Sequence, residues 1–473
     1  MDNPHVVILP FPAQGHIKPM LMLAELLSRA DFTITFVNTE QSHRRLTDGA
    51  SFRRRCPGIN FLSIPDGLPP DHPRSGPSII DLLISTSSAC KPIFKDLIAS
   101  MSQSHAPPTC IISDGIMSFS VDVAAELGIP AIAFRTYNAT STWTYFHLEK
   151  LIQEGEIPVV EGSEEIDRLI CCIPGLESIL RRRDLPMICR LVPESESLQF
   201  FITQASKMSK ASALILNTFE ELESPILSHL RSIFPAVYAI GPLHSAVNST
   251  VAHPPPPDSS SSLLQIDQSC MDWLDSQPSN SVLYVSFGSV AWLTRDELME
   301  FWYGLVNSEQ PFLWAIRPDL IWDGNGSDMI PEELKRSTME RGRIVGWAPQ
   351  EEVLAHDAVG GFLTHCGWNS ILESICAGKP MICRPMVSEQ QVNGRCVSEM
   401  WKLGLDMNCF CDRSTVERVV RDLMEGGRKE EMLRSTAEIA RLAKDCVSDG
   451  GSSHTNLNKL IADIKILHSK VQN

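Results

Sequence analysis

Short uninterrupted apolar runs alternate along this chain with longer stretches of helical periodicity. Val6-Val7-Ile8-Leu9 is too continuous for a strand with one face in water and predicts a buried one. Met20, Leu23, Ala24 and Leu27 follow at the spacing of one helical face, and Phe32 to Val37 predicts the next strand, so residues 5–37 form a βαβ unit. Cys110 to Asp114, Ile129 to Phe134, Leu214 to Asn217 and Val237 to Ile240 read as further strands of the same half. Ser120 to Leu127 reads as a helix stopped by Gly128, and Trp143 to Ile152 as an amphipathic stretch able to line a cavity. The alternation resumes at Val282 to Val285, Phe312 to Ile316, Arg343 to Gly346, Val359 to Thr364 and Met381 to Cys383. Strands alternating with helices in both halves predict α/β architecture with parallel sheets. Pro254 to Pro257 and Ser259 to Ser262 cannot be packed core and mark a linker. Asn456 to Val471 closes the chain as a helix with Leu457, Leu460, Ile461 and Ile464 on one face.

Length and charge narrow the function classes. A chain of 473 residues accommodates two or three domains. A net charge of −16 argues against nucleic acid or anionic membrane as partners, so an anionic ligand must be held by local donors. No apolar run is long enough to span a membrane, and Met1-Asp2-Asn3-Pro4 leads into the first strand without a secretory signal, so the cytosol is expected. The 14 cysteines show no metal-ligand or redox spacing and read as reduced thiols, with Cys366 a small loop residue.

The most informative stretch runs from Trp347 to Gln390. Strand Val359 to Thr364 breaks sharply at His365-Cys366-Gly367-Trp368, and Asn369 and Ser370 open a helix. A helix N-terminus directs backbone N–H groups and partial positive charge at whatever occupies the loop before it, which suits a diphosphate. His365, Asn369 and Ser370 add side-chain donors there. Trp347 can stack on a flat base, Gln350 and Glu373 can bond ribose hydroxyls, and Glu389 and Gln390 can hold sugar hydroxyls. A ligand-free reading also exists for part of the set: Ser370-Ile371-Leu372-Glu373 has the form of a capping box.

At its full spacing this stretch resembles the signature box of the plant secondary-product UDP-glycosyltransferases. His5 to His16, Ser113-Asp114, Ser286 to Ser289 and Phe312 to Asp319 extend the resemblance over nearly the whole chain. It implies the GT-B fold, two Rossmann-like domains with parallel sheets facing across a cleft. The expected division is an acceptor-binding domain over 1–245, the linker over 246–262, a UDP-sugar-binding domain over 263–455, and a C-terminal helix over 456–473 packing back on the first domain. The donor roles the family implies fall on Trp347 and the Ala348 backbone for uracil and on Gln350 and Glu373 for ribose. His365, Asn369, Ser370 and Ser289 are implied for the diphosphate, and Trp368, Glu389 and Gln390 for the sugar. No metal or other cofactor is implied, since the chain has no Asp-x-Asp; a monomer is expected. Two positions depart from the family pattern: Met386-Val387 replaces an aromatic pair, and Glu389 stands where Asp is commoner.

Transfer of a sugar to a hydroxyl requires a proton acceptor and a stabilised leaving group. His16 is the implied base, since the unperturbed imidazole pKa of ~6.5 lies near working pH. Asp114 is the carboxylate that would orient it. From the residues alone, without the signature box, the favoured reading makes His16 a turn residue and Asp114 an N-cap for the next helix. The acceptor is expected to be a small hydrophobic plant metabolite. Met117, Phe119, Tyr137, Trp143 and Phe146 are candidate pocket residues, although such side chains at regular spacing are commonly core. Ser113 to Phe119 and Glu154 to Pro158 resemble the subgroup acting on iridoids, other terpenoids and cyanohydrins. Flavonoid or phenolic acceptors are the alternative. A Rossmann oxidoreductase is disfavoured because Gly15 is the only glycine of the first turn. A silent binder of the same fold would need neither His16 nor Asp114.

Overall fold

The computed structural model describes residues 3–47, 58–103, 106–249, 266–318, 320–321, 341–407 and 411–472. The proline–serine stretch expected to form the linker, residues 250–262, lies outside them, as does Asp319. Residues 246–249 end a helix, Leu243–Ser249.

The chain divides into two compact units. The first comprises residues 1–158, 191–263 and 444–473, and the second comprises 159–190 and 264–443. The division differs from the sequential domains expected from sequence, because 159–190 groups with the second unit and the first unit resumes at 444 rather than at 456. That segment lacks helical or strand periodicity. It is tied to its unit by backbone and side-chain bonds such as Met187 N–H to Ser388 O at 2.9 Å and Arg395 Nε–H to Ile179 O at 2.8 Å.

Among the described residues, the first unit holds a seven-stranded parallel sheet of β1 (His5–Leu9), β2 (Thr33–Thr39), β3 (Ile59–Ile64), β4 (Cys110–Asp114), β5 (Ala131–Arg135), β6 (Ala213–Leu216) and β7 (Val237–Ala239). Their order is β3-β2-β1-β4-β5-β6-β7. The second unit holds a six-stranded sheet of β8 (Val282–Ser286), β9 (Phe312–Ala315), β10 (Gly342–Val345), β11 (Val359–Thr364), β12 (Met381–Cys383) and β13 (Gly404–Asp406), ordered β10-β9-β8-β11-β12-β13 and parallel throughout. In both sheets the order reverses beside the first strand, and the crevice at such a switch point is where open α/β sheets take ligands.

Continuous apolar strands are what a sheet covered on both faces needs, and β1, β4, β8 and β11 are buried along their whole length. Helix Gln14–Arg29 lays Met20, Leu23, Ala24 and Leu27 into the first core together with Ile8, Ile112 and Phe134. The C-terminal helix Ser452–Gln472 adds Leu460 and Ile464 to the same core, and its Asp463 accepts the Tyr238 hydroxyl at 2.5 Å. Gly128 caps helix Phe119–Leu127 in the left-handed conformation at φ 69°, as its position after the helix predicts. The amphipathic stretch from Trp143 is two helices, Ala139–Phe146 and Leu148–Gln153, that meet at His147.

Candidate functional site

In the first unit the strand order brings β1 and β4 side by side, with Leu9 opposite Ser113. Chain leaving β1 turns through Pro10 to Ala13 and enters its helix at Gln14, so His16 occupies the first helical turn. Asp114 ends β4 and is fully buried. His16 Nδ1 lies 2.6 Å from Asp114 Oδ2, and the other carboxylate oxygen accepts the Ile116 N–H at 3.0 Å. Thr136 Oγ1 approaches the same imidazole nitrogen at 3.1 Å. Burial alone would raise the Asp114 carboxyl. The charge and hydrogen bond of His16, the Ile116 N–H and the Arg135 charge outweigh burial and hold it below its ordinary range. An ionised carboxylate at Nδ1 fixes the proton there and leaves the Nε2 lone pair to accept another. The His16 side chain is 20% exposed. Neither ligand-free alternative survives: Asp114 caps no helix, since the next begins at Phe119 behind Ser118, and His16 is helical rather than part of the turn.

In the second unit β11 ends at Thr364 and the chain reverses through His365-Cys366-Gly367. Cys366 takes φ 65°, uncommon for a non-glycine residue, and its N–H bonds Thr364 Oγ1 at 3.2 Å. Cys366 is buried, and burial raises its thiol far from the reactive range, consistent with a loop residue. The helix that follows is Trp368–Cys376, with Gly367 at its N-cap and no side-chain cap. The capping-box reading of Ser370 and Glu373 is therefore corrected: both lie inside the helix. Their side chains meet Gln350 instead, whose Nε2 donates to Ser370 Oγ at 2.8 Å and to Glu373 Oε2 at 2.6 Å. Tyr284 donates its hydroxyl to Gln350 Oε1 at 3.2 Å. Ser370, expected with the diphosphate donors, is thus joined to the pair expected at the ribose.

His365 is enclosed by backbone. A Cβ on Gly288 would stand 2.3 Å from its ring, and one on Gly367 would stand 2.4 Å from Nε2. Burial and the Arg317 charge lower its pKa to about 4 against a weaker opposing contact with the Ser286 backbone, so the ring is neutral at physiological pH. Arg317 is itself buried and donates to the carbonyls of Gly288 and Ala291, which fixes the loop that carries Ser289. Sequence reasoning gave Arg317 no role; its signals are a charge one residue past an apolar strand and a place within the Phe312 to Asp319 stretch. The neutral ring of His365 carries a stability consequence. Its folded pKa lies below its ordinary 6.5, so the unfolded chain binds the extra proton between those values, and stability falls as pH drops from 6.5 toward 4. Urea unfolding of the wild type is expected to lose about 3 kcal/mol over that window from this residue. A His365→Asn variant should show a shallower loss; an unchanged pH slope would refute it.

Trp347 is half-buried beyond β10 and Ala348 is buried beside it. Trp368 packs its ring 5.9 Å from Trp401. Glu389 stands at the N-cap of helix Gln390–Arg395, and Gln390 Oε1 accepts the N–H groups of Met386 and Val387 at 3.0 and 2.9 Å. Asn393 was missed in the sequence. Fully buried, it donates to Cys366 O at 3.0 Å and to Glu389 Oε1 at 3.4 Å, and so ties the His365 loop to the Glu389 loop.

Of the acceptor candidates, Phe119 packs against Phe94, Trp143 stacks on His229 at 5.3 Å, and Phe146 packs against Phe234. Met117 follows Asp114 by one turn, its N–H bonded to Asp114 O at 2.8 Å, and the Tyr137 ring carries the Arg135 guanidinium at 4.9 Å. Among the described residues there is no cluster of three His, Cys, Asp or Glu side chains able to hold a metal, and no helix is long and apolar enough to cross a membrane.

The signature of the family described as "UDP-glucoronosyl and UDP-glucosyl transferase" matches residues 79–437. The chain is 51% identical to 7-deoxyloganetic acid glucosyltransferase of Catharanthus roseus over 98% of each chain. It is 42% identical to 7-deoxyloganetin glucosyltransferase of Gardenia jasminoides over 97% of each. Its structure is similar to that of a UDP-glucose: anthocyanidin 3-O-glucosyltransferase in complex with UDP, with a TM-score of 0.83 and 28% identity over 98% of this chain and all of that one.

Proposed function

Because the chain belongs to the UDP-glucoronosyl and UDP-glucosyl transferase family and has the GT-B fold, we propose that it moves glucose from UDP-glucose to a hydroxyl of a small terpenoid aglycone of the iridoid kind, inverting the anomeric carbon. The observation that carries this reading is the 2.6 Å bond between His16 Nδ1 and the buried Asp114. With Nδ1 committed, Nε2 takes the proton of the acceptor hydroxyl as its oxygen bonds to the sugar's C1. The bond from C1 to the β-phosphate oxygen breaks and its electrons leave with UDP. Asp114 stabilises the imidazolium until the proton passes to solvent.

The leaving diphosphate is the charge to be met, and a buried site meets it with fixed dipoles. The first-turn N–H groups of helix Trp368–Cys376, the side chains of Asn369 and Ser289, and the neutral ring of His365 take that role. The family uses the UDP-sugar as co-substrate and needs no metal. Trp347 stacks on uracil, whose edge pairs with the Ala348 backbone. Glu373 accepts from the ribose hydroxyls while Gln350, bonded to it and to Ser370, sets its orientation. At the sugar, Glu389 accepts hydroxyls, and Gln390, its oxygen engaged by the loop backbone, donates through its amide nitrogen.

The acceptor class rests on the relatives named for 7-deoxyloganetic acid and 7-deoxyloganetin. The test is kcat/KM for UDP-glucose, UDP-galactose and UDP-glucuronic acid with 7-deoxyloganetic acid as acceptor. UDP-glucose is expected to be preferred, because a hydroxyl of wrong orientation leaves buried polar groups unpaired. Equal efficiency with all three would overturn the donor assignment, and failure of all three to give a product would overturn the acceptor assignment.

A further inference from the structure

Glu223 is 1% exposed and is the residue at which helix Glu220–Leu230 leaves the helical conformation. Its carboxylate takes four hydrogen bonds. Oε2 accepts the Ala139 N–H at 2.9 Å and the Thr218 hydroxyl at 2.6 Å. Oε1 accepts the Thr140 N–H at 2.9 Å and the Thr140 hydroxyl at 2.7 Å. Burial raises the pKa of this carboxyl against the pull of the four donors. A protonated acid would set an O–H among those donors, so the geometry fits the ionised form.

The four bonds tie two strand ends together. Thr218 follows β6, and Ala139 and Thr140 open the helix Ala139–Phe146 that follows β5. Glu223 meets the first two N–H groups of that helix, and the N-cap Asn138 meets the next, from Ser141, at 2.7 Å. Only Thr136, Tyr137 and Asn138 separate the helix from β5, whose Phe134 is paired with Asp114. Thr136 Oγ1 lies 3.1 Å from His16 Nδ1. The short loop that braces the imidazole is thus held at one end by the sheet and at the other by Glu223. A neutral cap satisfies a helix start without burying a charge. A fully bonded carboxylate adds stiffness, because charge-assisted bonds are shorter and stronger, and the helix dipole favours the anion there. Stiffness matters next to a base, since a misplacement of ~1 Å can slow a reaction about 10²-fold.

We propose that Glu223 is a positioning residue for the proton acceptor: it fixes the start of helix Ala139–Phe146 and, through the loop before it, the Thr136 hydroxyl that braces His16. The assignment deepens the glucosyl-transfer reading and rests on His16 being the base of that reaction. The imidazole then has two braces on Nδ1, the carboxylate of Asp114 and the hydroxyl of Thr136, which follow neighbouring strands of one sheet. Nε2 lies across the ring from them, so loosening either brace lets the ring swing and moves the nitrogen that must meet the acceptor hydroxyl.

The experiment compares kcat with UDP-glucose and 7-deoxyloganetic acid in the full-length wild type, Glu223→Gln, His16→Ala and the double variant, with KM for UDP-glucose read alongside. Glutamine puts an NH₂ where two of the donors now bond. In Glu223→Gln kcat is expected to fall by ~10–10²-fold while KM for UDP-glucose stays within about twofold. In the His16→Ala background the same substitution should cause no further loss, since its effect passes through the ring. Equal losses in both backgrounds would overturn the proposal and mark a purely structural carboxylate, and so would wild-type kcat in Glu223→Gln. Thr218→Val removes one bond and leaves the charge in place, which covers the case in which the glutamine variant does not fold. It should lose kcat several-fold, again only where His16 is present; wild-type kcat, or the same loss without His16, overturns the proposal. Near-wild-type turnover in His16→Ala would instead overturn the base reading itself. A slow His16→Ala with an additive double variant leaves that reading standing and removes only the role of Glu223.

Discussion

Replacing His16 by alanine is expected to lower kcat on a hydroxyl acceptor by ~10²–10⁴-fold while UDP binding is retained. The imidazole is held by Asp114 at 2.6 Å, which leaves Nε2 for the base role proposed for it. Removing the ring removes the base but touches none of the residues of the second unit assigned to UDP. Asp114→Asn should act in the same direction, since an amide can present N–H to Nδ1 and turn the imidazole to the wrong tautomer. Because Asp114 is held below the ordinary carboxylate range, its own protonation should not shape activity near neutrality. Steady-state kinetics of both variants, with UDP affinity measured in parallel, decide the matter. Near-wild-type turnover in His16→Ala would remove the base assignment. An acceptor reacting through a carboxylate arrives ionised, so the variant should keep far more activity on such a compound.

Gly288→Ala is expected to weaken UDP binding by about 10²-fold and to destabilise the protein by about 1–3 kcal/mol. Two effects add at this position. The backbone takes φ 67°, a conformation L side chains rarely adopt, and the added Cβ would stand 2.3 Å from the His365 ring. His365 is 8% exposed, and Arg317 pins the Gly288 carbonyl. The strain must therefore pass into the loop that ends in Ser289 or into the turn before helix Trp368–Cys376. Gly427→Ala, where nothing lies within 4 Å of the added carbon, is the control. Calorimetry with UDP that found Gly288→Ala within threefold of the wild type would show that His365 and its loop do not set the diphosphate subsite.

The buried strands were legible because an apolar run such as Val359 to Thr364 has few alternatives in an α/β chain. The His16–Asp114 pair was legible only through the family motif, since the two residues lie far apart in sequence and meet because β1 and β4 are neighbours. Local reasoning failed where a local pattern had two uses. Ser370 to Glu373 spells a capping box, yet the helix starts earlier at Trp368, and both side chains are claimed by Gln350 across a distance no local rule sees. Residues 159–190 carry no period to read. Arg317, Asn393 and Glu223 each look like ordinary polar residues in the sequence. Their importance comes from what surrounds them once folded: paired carbonyls for Arg317, two loops for Asn393, and the start of a distant helix for Glu223.

The discontinuous make-up of the first unit bears on how the protein is born. Synthesis runs from the N-terminus, and domains generally fold as units while the chain emerges. Residues 159–190 and 264–443 are all made before the last segment, 444–473, that belongs with the first unit. The core beneath the helix of His16 includes Leu460 and Ile464, side chains it lacks until that last segment has been made. The unit that carries His16 thus gathers segments from both sides of the second unit's chain. A chain clipped before Leu460 would retain every residue assigned to the nucleotide sugar while the helix that carries His16 lacked part of the core it packs on.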